Sequence, residues 1–152
     1  MAQVETNWAG NHAYRARVER VHSLEEVQEV VAGATHVRAL GSRHSFTDLT
    51  DATDASGNAG VLVSLADLPT TVEVDADART ARVAGRAAYG DVATRLQAEG
   101  WALANLASLP HISVAGAVAT GTHGSGVENG SLATAVAAIE IVGPDGQIRR
   151  VV

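Results

Sequence analysis

The chain has 152 residues, 46% of them hydrophobic and 3% aromatic, and a formal net charge of −6. It has no Cys, and all 11 basic residues are Arg. This excludes disulfides, thiolate nucleophiles, Cys-ligated zinc, iron–sulfur clusters, a Walker A lysine and a lysine Schiff base. The acidic balance argues against a general nucleic-acid binder, which needs a basic face.

The length suits one domain or two small lobes of one. A chain of this size can bury roughly 68–70% of its unfolded surface. Its core must be built from small pieces, since 29 Ala and 20 Val stand against one Phe, two Tyr and two Trp. Residues 1–8 are polar and carry Glu5, unlike a secretory signal. The longest largely apolar run, 133–139, is far too short to span a bilayer, so no membrane partner is expected. Lack of Cys fits a reducing, cytoplasmic setting.

Residues 23–33 are the clearest helix: Ser23 with Glu26 reads as a capping box, Leu24, Val27, Val30 and Val31 share a face, and Gly33 can close the end. Residues 36–40 read as a short strand entering the loop Gly41-Ser42-Arg43-His44-Ser45. Residues 47–60 are polar and read as an exposed loop. A strand follows at 61–65. Val72 and Val74, then Ala81 and Val83, alternate with polar residues around the turn 76–79, which predicts a hairpin with one buried face. Residues 90–98 predict a second helix with Val92, Ala93 and Leu96 inward and Gly100 beyond its end. Residues 101–105 read as extended, 135–142 as a strand, 144–146 as a tight turn and 147–152 as the return strand. The order predicts an α+β fold without regular βαβ alternation. A strand pair at a terminus usually needs a further partner, so the sequence looks cut short or completed by another chain.

Two glycine-rich loops could carry chemistry: 40–46, directly after a strand, and 115–126. Glycine lets backbone N–H groups line up as an anion nest, and hydroxyls at Ser42, Ser45, Thr120, Thr122 and Ser125 add short donors. From pattern alone the loops are either phosphate cradles or ordinary turns. Gly121-Thr122-His123-Gly124-Ser125-Gly126 has the wrong spacing for a dinucleotide fingerprint, and no nucleophile elbow is present. None of the six histidines sits in a His-Glu-x-x-His pattern, so no metal is expected. His12, His22 and His36 read as surface or boundary residues. His44, His111 and His123 lie in or near loops, either as candidate nucleophiles or acid/base groups or as hydrogen-bonded loop histidines. Asn129-Gly130-Ser131, a sequon in form, reads as a turn, as do Glu128 and Asn129.

Several of these stretches resemble one family. Thr6-Asn7-Trp8-Ala9-Gly10-Asn11 with Tyr14 is similar to the start of the alditol (xylitol) oxidases. So are Leu40-Gly41-Ser42-Arg43-His44-Ser45-Phe46, Leu106-Ala107-Ser108-Leu109-Pro110-His111-Ile112-Ser113-Val114-Ala115-Gly116 and the run 119–126. The match covers nearly the whole chain in the right order. These are vanillyl-alcohol-oxidase-type (PCMH-type) flavoproteins. The resemblance implies an α+β, two-lobed FAD-binding domain with the cofactor between the lobes, lobe one about 1–65 and lobe two about 66–152, truncated at its C-terminal end.

By the same resemblance, His44 carries FAD covalently through the flavin 8α carbon, and residues 41–45 contact the pyrophosphate through backbone N–H groups. The further FAD contacts it implies are Leu40, Phe46, Ser108, His111, Ser113, Gly116, Thr120, Gly121, Thr122 and His123, with Ser108 also facing substrate. The family's substrate domain carries a lysine base, and this chain has no lysine. The expectation is a cofactor-carrying module of an alditol-oxidase-like oxidoreductase, which in its complete form turns polyol and O2 into aldose and H2O2. The alternatives are a minimal flavoprotein without substrate turnover, or a fragment retaining weak oxidase activity. Polyol binds only if the missing domain is supplied.

Overall fold

The computed structural model describes residues 4–152; the first three residues of the polar opening lie outside it. The chain forms two compact units, 1–68 with 138–152, and 69–137.

The first unit is built on three parallel strands, β1 (Arg17–Arg20), β2 (Val37–Leu40) and β3 (Val61–Ser64), in the spatial order β1-β3-β2. Val61 lies beside both Arg17 and Val37, so the register is continuous across the sheet. The helix α1 (Leu24–Gly33) makes the crossover from β1 to β2. This is a single βαβ connection, in a chain that otherwise lacks regular βαβ alternation. β1 was not legible because two Arg and a Glu occupy its four positions, as suits a sheet edge.

β3 is buried along its whole length, which explains its unbroken apolar run Val61-Leu62-Val63. Val61 and Val63 pack with Val21 and Val27 beneath α1, and Leu62 faces the other way, onto Ala16, Leu40 and Ala52. Ser23 caps α1 by accepting from the Glu26 amide at 3.2 Å. The Glu26 carboxylate accepts from His22 N at 2.7 Å, one residue earlier than a standard capping box.

The antiparallel pair β6 (Ile139–Val142) and β7 (Ile148–Val151) belongs to this unit as well. Where residues 66–152 are expected to form one lobe, the last fifteen join residues 1–68 instead. The cause is α1. Val142 packs into the core beneath α1, and Gln28 Nε2 donates to Gly146 O at 2.6 Å. Gly146 has φ +74°, and a Cβ there would lie 3.0 Å from Gln28 O. The expected strand over 135–142 begins only at Ile139, because residues 132–135 form a 3-10 turn that buries Leu132 in the second unit.

The second unit opens with the antiparallel hairpin β4 (Val72–Asp75) and β5 (Thr80–Val83), with Val72 opposite Val83. Val72, Val74, Ala81 and Val83 pack onto Ala87, Val92 and Leu96. The latter two lie on α2 (Tyr89–Ala98). Gly100, φ +79°, ends that helix and lets Trp101 N donate to Leu96 O at 2.9 Å. Residues 101–105, expected to be extended, form no strand ladder. A short helix, α3 (Val114–Ala119), takes up the start of the second glycine-rich stretch, which sequence reads only as a loop.

Candidate functional site

The first loop leaves β2 at Leu40. That side chain is 4% exposed and packs with Ala16, Ala52 and Leu62, so it anchors the loop from below and offers only its main chain to a ligand. Arg43 then takes φ +61°, a left-handed conformation that costs a non-glycine residue roughly 1–2 kcal/mol. Successive peptide units that change hand in this way form a concave anion nest. Among the described residues, the main-chain N–H groups of Gly41, Arg43, Ser45 and Phe46 donate to no acceptor. Unengaged donors in such a loop fit an oxygen-rich anion.

The loop's carbonyls are taken from the other side. Trp8 N donates to Arg43 O at 2.8 Å, Asn7 Nδ2 to Ser45 O at 2.8 Å, and Asn11 Nδ2 to Phe46 O at 3.0 Å. The Arg43 guanidinium pairs with the Glu5 carboxylate and reaches Thr6 O at 3.4 Å. Its charge is met within the protein. His44 is half-buried in a cluster of three rings: Trp8 lies 4.7 Å away edge-on and Phe46 5.6 Å away, and Trp8 and Phe46 meet each other at 6.2 Å. Sequence reasoning places His44, Phe46 and their loop at the site. It names Asn7, Trp8 and Asn11 only as a motif and gives them no role. The signal was their grouping around Gly10, whose φ of +71° turns the segment back.

Asp51 fixes the entry to β1. Its side chain is 1% exposed and accepts from Arg15 N at 3.0 Å and Ala16 N at 3.1 Å, with His12 Nε2 at 3.5 Å. Burial pushes its carboxyl up, but those hydrogen bonds and the neighbouring His12 and Arg15 outweigh it and hold the group below its usual value. Burial raises the Tyr14 phenol, which packs onto the core beside Ala16 and Leu40.

In the second unit, residues 108–126 lean on α2. Gly90 N donates to Pro110 O at 2.8 Å and Tyr89 N to Ile112 O at 3.1 Å, while Val114 N donates to Ala87 O at 2.9 Å. Ser113 is buried in this bridge. Ser108 and His111 are exposed. The exposed Thr120 hydroxyl donates back to Gly116 O at 3.0 Å at the end of α3 and lies 3.4 Å from the Thr122 hydroxyl. Gly121, φ +64°, follows, with Thr122 half-buried and His123 exposed, its Nδ1 3.1 Å from Gly124 O. The N–H groups of residues 123–126 donate to no acceptor among the described residues. Asn129 closes the loop, its amide donating to Gly126 O and its Nδ2 to Ser125 O, the turn role expected of it. Among the described residues no three metal-ligating side chains cluster, and no helix is long and apolar enough to cross a membrane.

Each unit thus carries a glycine-bearing loop with unengaged N–H groups, a backbone suited to an anionic group. The sequence matches the FAD binding domain family over residues 16–151, and the chain belongs to that family. It is an FAD-binding domain of the alditol oxidase type. It is 48% identical to the alditol oxidase of Streptomyces sp. (strain IKD472 / FERM P-14339), over 98% of this chain and 36% of that protein. It is 30% identical to the L-gulono-1,4-lactone dehydrogenase of Mycobacterium tuberculosis (strain ATCC 25618 / H37Rv), over 97% of this chain and 34% of that protein. The chain thus spans about a third of the length of these relatives. Its fold is similar to that of cholesterol oxidase from Brevibacterium sterolicum, with a TM-score of 0.73 at 19% identity, covering 97% of this chain and 31% of that one.

Proposed function

We propose that this chain binds FAD covalently, through a bond between the His44 imidazole and the flavin 8α carbon, as the flavin-carrying part of an alditol-oxidase-like oxidoreductase. The observation that carries this reading is the His44 loop itself. An imidazole packed against the touching rings of Trp8 and Phe46 stands on a backbone whose N–H groups at Gly41, Arg43, Ser45 and Phe46 remain available for the cofactor's phosphates. In the second unit the proposed FAD contacts are Ser108, His111, Ser113, Gly116 and residues 120–123. When bound, the flavin would accept a hydride from a polyol carbon and pass the electrons to dioxygen. Alcohol oxidation also needs a proton acceptor beside the hydroxyl. The resemblance gives that part to a lysine, and no residue of this chain is one. In the proposed division of labour, these residues hold the flavin and the polyol base comes from elsewhere.

The deciding experiment is the mass of the denatured protein before and after incubation with excess FAD. A gain of one FAD, lost in His44→Ala while a yellow non-covalent complex persists, supports the reading. A wild-type protein that stays colourless with excess FAD overturns cofactor binding. A yellow protein whose denatured mass is unchanged overturns covalent attachment.

A further inference from the structure

We propose that residues 5–14 form a strap whose task is to position His44, with Asn7 and Trp8 as its positioning residues. The proposal rests on the covalent reading of His44 and adds the residues that set up the bond. The strap is a small closed unit. Asn7 N donates to His12 O at 3.0 Å and Tyr14 N to Glu5 O at 2.9 Å, so its two ends are tied together. Asn7 is 3% exposed and uses its whole amide: Nδ2 donates to Ser45 O and to Asn11 Oδ1 at 2.7 Å, while Oδ1 accepts from His12 N at 3.2 Å. The strap lies ahead of the segment matched by the FAD binding domain family.

Its contacts with the loop main chain are one-sided, the Arg43 side chain donating the other way, to Glu5 and Thr6 O. Strap donors occupy the carbonyls of Arg43, Ser45 and Phe46. A trans peptide points its N–H opposite to its C=O. The N–H of Phe46 therefore faces away from the strap, because the Ser45 carbonyl faces it. The strap thus holds the loop by three acceptors and, at Phe46, leaves the donor of a held peptide for a ligand. Trp8 then restricts the imidazole directly: its ring lies 4.7 Å from that of His44 at an interplanar angle of 62°. Trp8 is 63% exposed, so burial is not what holds it there.

Positioning matters because the attachment is demanding. It forms an imidazole N–C8α bond and breaks a C8α–H bond. The imidazole N–H is lost as well, and dioxygen accepts two electrons and two protons overall, leaving as hydrogen peroxide. A nucleophile held within near-attack geometry gains greatly over one free to rotate, and a misplacement of about 1 Å can cost on the order of 100-fold.

The test uses the full chain, with Trp8→Ala, Trp8→Phe, Asn7→Ala and His44→Ala beside wild type. Covalent flavin is followed over time by denatured mass, total flavin by absorbance, and amide exchange of residues 41–46 is measured without flavin. Trp8→Ala and Asn7→Ala are expected to attach flavin about tenfold more slowly or worse, with non-covalent binding retained. Trp8→Phe should restore most of the rate, and Asn7→Ala should speed exchange in the loop. A strap that only tied down the N-terminus would lower stability without slowing attachment in the folded protein. Attachment at wild-type rate in both Trp8→Ala and Asn7→Ala overturns the proposal, whatever happens to exchange. If Asn7→Ala fails to fold, Trp8→Ala with its Phe rescue decides alone. If wild type attaches no flavin, the covalent reading fails by itself, and unchanged loop exchange in the variants then overturns the strap separately.

Discussion

Gly90 and Pro110 meet backbone to backbone: the Gly90 amide donates to Pro110 O at 2.8 Å, and a Cβ on Gly90 would lie 3.0 Å from Pro110 Cβ and 3.1 Å from its carbonyl oxygen. A side chain at the start of α2 would press on Pro110 and push the 108–113 segment back by a few tenths of an ångström. Gly90→Ala should gain up to about 1 kcal/mol of helix propensity and lose about 1–3 kcal/mol to overpacking. The expected net effect is a loss of about 1 kcal/mol, read from urea unfolding. A more stable variant would show that the segment yields easily.

Gly60 is the stricter glycine. Its amide donates to Ala52 O at 2.6 Å, and a Cβ would fall inside van der Waals contact with His36 O and 2.8 Å from His36 Cβ. The obstacle is main chain at the entry to β3, where Val61 N already donates to His36 O. Gly60→Ala should destabilise by about 3 kcal/mol or more, the larger of the two glycine effects in the same unfolding assay.

Gly116 bears on the cofactor. A Cβ there would lie 2.7 Å from Ser113 Oγ, so Gly116→Ala must move that hydroxyl. Ser113 is one of the proposed FAD contacts, and a hydrogen bond is worth about 0.5–1.5 kcal/mol net. Non-covalent FAD affinity, measured by flavin fluorescence titration in a His44→Ala background, should fall by up to about tenfold. Unchanged affinity would remove Ser113 from the list of contacts.

Asp51 makes stability depend on acid. Burial raises its carboxyl pKa, but hydrogen bonds from Arg15 and Ala16 with the nearby His12 and Arg15 lower it further, and the net folded value lies below the unfolded one. A depressed carboxyl pKa contributes stability that is fully present above the unfolded value of about 3.9 and is lost as pH falls through the folded value. Asp51→Asn should cost about 1.5–3 kcal/mol near neutral pH. It should also flatten the fall in stability that wild type shows below about pH 4. Chemical denaturation repeated across that window checks both.

Elements whose signals are local can be read from the residues alone. The capping pattern and one apolar face specify α1. Period-two alternation specifies the β4–β5 hairpin, and a wholly apolar run specifies β3. Composition also sets what the chain cannot supply, since no lysine is present to act as a base. The tertiary structure decided what depends on distant partners. β1 is charged because it is an edge strand, so it pairs with β3 despite its composition. The short α3 forms in a glycine-bearing stretch because Ala117 is buried with Tyr89, Ile112 and Leu132. The β6–β7 pair joins the first unit because α1 offers Gln28 and an apolar face to it. The site divides in the same way. A glycine-rich loop with a histidine is visible in the sequence. That Asn7, Trp8 and Asn11 hold three of its carbonyls follows only once more than thirty residues of intervening chain have folded back.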